Sequence, residues 1–97
     1  MTYARVYRMK AAPGKESALA EAVQKVGELV EGIDGCEGTF LMQDADNPGD
    51  LLFVEKWQTI DHHKKALESL PPGTLDPVGA AMAGPPEGSY MKWVYGA

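Results

Sequence analysis

Ninety-seven residues make one domain, and a chain this short buries only about 60–65% of the surface its unfolded form exposes, so a second copy supplying apolar area is an expected help. Hydrophobic residues at 44% and charged residues at 24% are ordinary for a globular protein, while a formal charge of −5 with no Lys/Arg cluster argues against nucleic acid as a partner. One cysteine, Cys36, excludes an intrachain disulfide and a cysteine-only metal site; the opening Met-Thr-Tyr-Ala-Arg carries no apolar signal core, and no run reaches the ~18 apolar residues that span a bilayer, so a cytoplasmic protein away from membranes is expected.

Tyr, Val, Tyr and Met in an extended pattern predict a first strand over Tyr3–Lys10. Pro13-Gly14 breaks the chain ahead of a helix over roughly residues 15–31, whose apolar positions Leu19, Ala22, Val23, Val26, Leu29, Val30 and Ile33 share one face at period 3.6. Asp34-Gly35 ends that helix, Gly35 suiting a left-handed cap or turn. A second strand is expected over Cys36–Gln43 and a third from Leu51 to about Gln58, joined by the turn formers Asp46-Asn47-Pro48-Gly49-Asp50 as a hairpin. A second helix starts at Thr59 as N-cap, with Ile60, His63, Leu67 and Leu70 on its inner face. Residues 71–88 hold nine Gly or Pro, an irregular segment placed where a flap over a pocket mouth would sit; within it Asp76-Pro77 introduces a short helix over residues 78–83. A last strand is predicted from Ser89 to Tyr95.

The strands are apolar on both phases. Leu51, Phe53, Glu55 and Trp57 alternate with Leu52, Val54, Lys56 and Gln58, and neither set is cleanly polar. Two helices cover one face of a four-stranded sheet, which leaves the other face for a two-fold-related copy. A homodimer is the expectation.

A pocket between sheet and helices is the natural ligand site. Arg5 and Tyr7 alternate on the first strand, Glu55 and Trp57 on the third, and the sequence alone does not say which phase faces the helices. His63 is the candidate for acid–base work, because its inner-face position carries an imidazole toward the pocket; a histidine hydrogen-bonded at the core edge fits the same spacing. His62 falls on the solvated side of the helix, and two adjacent histidines without a nearby Cys or carboxylate make no metal site. Arg5 and Tyr7 suit an anionic or phenolate substrate, and Trp57 suits either a pocket wall or core packing. Glu55 reads as a strand-end salt bridge or surface residue, or as a general base if burial raises its pKa.

Pro13-Gly14-Lys15, Gly35-Cys36-Glu37-Gly38, the Asp-x-x-Asn-Pro turn at 44–48 and Glu55-Lys56-Trp57-Gln58-Thr59 together resemble the antibiotic-biosynthesis monooxygenase-like family. The resemblance covers almost the whole chain. It implies one α+β domain over residues 1–97, a ferredoxin-like βαββαβ fold with a four-stranded antiparallel sheet that pairs into a dimeric α/β barrel. It also implies a monooxygenase acting on a small aromatic molecule, anthrone- or quinol-like, without metal or organic cofactor. Deprotonating such a substrate gives an anion able to reduce dioxygen itself, so the protein need only bind, orient and shift a pKa. His63, which rests on its helical face and not on a family motif, is the catalytic candidate, and Tyr7, Arg5 and Trp57 are the substrate-binding ones. Many members of the family place a histidine nine residues beyond the Glu-x-Trp tryptophan, where this chain has Ala66, and a Thr/Ser-Pro-His run where it has Ser69-Leu70-Pro71. A non-catalytic dimer that binds a small hydrophobic molecule, or a non-oxidative isomerase, therefore stands beside the oxygenase. The asparagine of the haem-degrading branch is replaced by Tyr7, so haem degradation is not expected.

Overall fold

A computed structural model describes residues 2–96. Strand β1 (Tyr3–Lys10) leads into helix α1 (Glu16–Val30), the hairpin of β2 (Cys36–Gln43) and β3 (Asp50–Trp57), helix α2 (Ile60–Ser69), the short helix α3 (Asp76–Ala81) and strand β4 (Glu87–Lys92). The antiparallel sheet has the order β2-β3-β1-β4, the arrangement of a ferredoxin-like fold. No helix of the described residues is long and apolar enough to cross a membrane.

Each element has a local cause. The β2–β3 turn is closed by Asp44, whose carboxylate accepts from the backbone N–H groups of Asp46 and Asn47 at 2.8 and 2.9 Å. Thr59 caps α2, its Oγ1 accepting from the His62 N–H at 3.1 Å. Gly35 adopts φ +88° between α1 and β2, and a Cβ there would collide with the His62 imidazole. Leu19, Val23, Val26 and Val30 of α1 recur at helical spacing and pack on Leu51, Phe53 and Trp57 of β3, with Val78 and Ala81 of α3 closing the same core. Each such side chain contributes roughly 1.5–3 kcal/mol by leaving water.

Two elements differ in their bounds from the sequence expectation. The last strand begins at Glu87 and stops at Lys92, because its partner β1 begins at Tyr3, opposite Lys92. Trp93 makes one further backbone bond to Thr2, and beyond it Val94 and Tyr95 are exposed. In the Gly/Pro segment, α3 runs over Asp76–Ala81 rather than 78–83, with Leu75 in the N-cap position and no side-chain cap, and the Ala83 N–H and Ala81 carbonyl bond to Lys10 and Ala12.

The outer face of the sheet carries Ala4 and Val6 of β1, Leu52 and Val54 of β3, Phe40 and Met42 of β2, and Met91 of β4. Phe40, Met42 and Met91 are each about half exposed, at 49%, 52% and 51%. The apolar phase predicted on both sides of the strands is thus present, and the helices cover only one side.

Candidate active site

The register sets which side chains meet. Arg5 lies between Glu55 of β3 and Tyr90 of β4, and Tyr7 lies opposite Phe53. All of these are on the helix side of the sheet, so this is the phase that faces α1 and α2. Arg5, Tyr7, Phe53 and Glu55, together with Trp57 and His63, line a cavity of about 400 Å³, within the range of small-molecule sites. Val23, Val26 and Val30 form its α1 wall, and Leu67, Leu70 and Leu75 stand on the side of α2 and the segment after it.

At the cavity floor His63 is 1% exposed and held from both sides. Its Nε2 lies 2.8 Å from the Tyr7 hydroxyl and its Nδ1 2.7 Å from the Tyr90 hydroxyl. The ring also meets Trp57 and Tyr90 edge-on, with centroids 5.8 and 5.3 Å away. Glu55, 4% exposed, accepts from the Trp57 indole N–H at 3.2 Å, and the same oxygen lies 3.5 Å from His63 Nε2. The Arg5 guanidinium sits over the Tyr7 and Tyr90 rings, 4.9 and 4.4 Å from their centroids.

Burial governs the ionisation of this cluster. It pushes the Glu55 carboxyl up to about 7, with the Trp57 hydrogen bond and the Arg5 charge pulling the other way. It pushes His63 down to about 4, helped by the positive charges of Arg5 and Lys64. Tyr7 rises to about 12, through burial first and the Glu55 charge second. At neutral pH the imidazole is therefore neutral, and its 3.5 Å approach to Glu55 is not an ion pair. A neutral imidazole has one N–H and one bare nitrogen, so one tyrosine donates to it while the other accepts. Glu55 is the member of the cluster that exchanges its proton near neutrality.

The four residues singled out in the sequence, Arg5, Tyr7, Trp57 and His63, stand around one cavity. Tyr3 shares the phase of Arg5 and Tyr7 but is not part of the cavity wall. Glu55 is buried rather than at the surface, because it shares the strand phase of Phe53 and Trp57, the one beneath the helices. Tyr90 was not singled out; its signal is its place opposite Arg5 in the β1–β4 register, which no single strand reveals. On α2 the buried positions are His63 and Ala66, while Leu67 is 46% exposed at the cavity. His62 lies outside, bonded to Thr59 Oγ1 at 2.6 Å and 3.7 Å from Asp34, half-covered rather than fully solvated. Burial raises the Cys36 thiol, so it is not an activated nucleophile. Among the described residues no group of three or more His, Cys, Asp or Glu is placed to hold a metal ion.

The family model described as antibiotic biosynthesis monooxygenase matches residues 2–76. No curated protein sequence matches the chain. Among solved structures, a candidate antibiotic biosynthesis monooxygenase from Bordetella bronchiseptica superposes with a TM-score of 0.85 at 22% identity, covering 97% of this chain and 98% of its own. Another from Chloroflexus aurantiacus gives 0.82 at 25% identity over 100% of this chain and 97% of its own. A variant of SnoaB, a cofactor-independent oxygenase from Streptomyces nogalater, gives 0.82 at 15% identity over 98% of this chain and 95% of its own, a likeness of fold alone.

Proposed function

From the premise that the chain belongs to the antibiotic biosynthesis monooxygenase family, we propose that it is a homodimeric monooxygenase that oxidises a small, electron-rich aromatic molecule, anthrone- or quinol-like, without metal or organic cofactor. The observation that carries this reading is the chain Tyr7–His63–Tyr90, with Glu55 3.5 Å from the imidazole, at the floor of an apolar cavity. Such a floor can take a proton from a weak acid and hold it away from water.

The step needs little else. The substrate loses a proton to the Tyr7 hydroxyl as Tyr7 passes its own to His63 Nε2, and the ionised Glu55 steadies the imidazolium. The resulting anion gives one electron to dioxygen, and the radical pair combines into a carbon-bound peroxide. For an anthrone-like methylene, cleavage of the O–O bond with loss of the remaining C–H leaves a carbonyl. One oxygen atom stays in the product and the other departs as water, with the stored proton restored to it. Arg5 and Trp57 hold the aromatic anion in place.

Turnover under labelled dioxygen tests this directly. The product is expected to carry one labelled oxygen atom, and His63→Ala is expected to slow turnover by roughly 10²–10⁴-fold, the usual range for an acid–base group. Conversion that proceeds equally well without oxygen would replace this reading with an isomerase. Ala66, standing where many relatives have histidine, favours one rival, a dimer that binds such a molecule without transforming it. Binding without any product would establish that rival.

A further inference from the structure

Arg5 is an unusual residue to place in an apolar cavity. Its Nε is buried and has no hydrogen-bond partner, and among the described residues no carboxylate forms an ion pair with it. Glu55, its cross-strand neighbour, instead accepts from Trp57 and faces His63. A cation on the wall of an apolar cavity is costly to hold without a counter-charge, and an anion in the cavity would supply one. The site around it is built. Tyr7 and Tyr90 present ring faces to the guanidinium from neighbouring strands. Gly88, opposite Tyr7 on β4, leaves the space it occupies: a Cβ there would collide with the terminal nitrogen and lie 2.9 Å from Cζ.

We propose that Arg5, seated over Gly88 between Tyr7 and Tyr90 on the cavity wall, is an oxyanion subsite whose guanidinium binds a single ionised oxygen on the aromatic substrate. This deepens the function proposed above and rests on the same cavity. It names the ligand class: an aromatic molecule that is bound as its anion, either a carboxylate ionised beforehand or a phenolate or enolate formed in place. A neutral hydrocarbon of the same shape fills the apolar wall but leaves the guanidinium without a counter-charge, and so binds less well.

Three naphthalene probes that the oxygenase chemistry need not transform separate these cases by calorimetry. 1-Naphthoate is expected to bind roughly tenfold or more tightly than 1-naphthamide, the scale of one charge-assisted hydrogen bond. 1-Naphthol bound with the absorption of naphtholate, at a pH where the free molecule is un-ionised, identifies an anion formed in place. Preference for naphthoate without that spectrum identifies a preformed carboxylate, and either result supports the subsite. Gly88→Ala is the companion variant, since Gly88 has ordinary strand φ and the collision falls on the movable end of Arg5. It is expected to reduce the naphthoate preference to below about threefold while the naphthamide affinity stays within about twofold. Equal binding of naphthoate and naphthamide by the unaltered protein, no binding of either at millimolar concentration, or a preference that survives both Gly88→Ala and Arg5→Met would overturn the proposal. A charge preference without oxygen uptake on any aromatic would sink the oxygenase and leave the subsite standing; oxygen uptake without the preference would do the reverse.

Discussion

At the scale of single residues, the pH response of the molecule turns on two buried groups that pull in opposite directions. Glu55 is raised from its ordinary 4.5 to about 7, so its contribution to stability is complete below about pH 4.5 and is lost as the pH rises through 7. His63 is lowered from 6.5 to about 4, so its contribution is complete above pH 6.5 and is lost as the pH falls through 4. Between about pH 4.5 and 6.5 the two slopes, each at most about 1.4 kcal/mol per pH unit, oppose one another. Urea unfolding of Glu55→Gln is therefore expected to show stability climbing from pH 4 to 6.5, where the unaltered protein is flatter. A flat profile in that variant would contradict a histidine kept neutral by burial. His63 was legible in the sequence because its helical spacing with Ile60, Leu67 and Leu70 points inward. The burial of Glu55 was not, since a carboxylate in a strand reads equally well as solvent-exposed, and the partnership of Tyr90 depends on a register between the two ends of the chain.

At the scale of elements, the junction of α1, β2 and α2 shows how local chemistry positions the site. Gly35 carries φ +88°, its carbonyl accepts from Gln58 N–H at 2.9 Å, and the His62 imidazole rests against its Cα. The neighbouring His63 is thereby held at the cavity floor. Gly35→Ala forces both a left-handed alanine and a collision with His62, and is expected to cost about 1–3 kcal/mol by equilibrium unfolding. A change below a few tenths would mean the junction is free to relax. Most boundaries here were readable from the sequence: β1 and β2 fall at the predicted residues, and Thr59 caps α2. The exceptions are set by tertiary contact. The last strand is cut where β1 runs out, and residues 81–83 are drawn to the end of β1 by backbone bonds that no local pattern announces.

At the scale of the whole molecule, one face of the sheet is covered by helices and the other carries Val6, Leu52, Val54, Phe40 and Met91 together with the charged Arg8, Lys56 and Glu87. Alternation made this two-sidedness visible in the sequence, although only the three-dimensional register showed which phase was which. A second copy closing that face is the assembly proposed above, so sedimentation should give twice the 10.5 kDa chain mass, and Phe40→Asp combined with Met91→Asp should give 10.5 kDa. A chain mass of 10.5 kDa for the unaltered protein at micromolar concentration would sink the dimer. The oxygenase chemistry is tested most directly by dissolved-oxygen consumption by the purified, chelator-treated protein across a panel of anthrones and quinols. Protein-dependent uptake that yields an oxygenated product and falls in His63→Ala is expected. Uptake no faster than buffer alone, from panel members that still raise the melting temperature, would contradict it and leave a binding protein in its place.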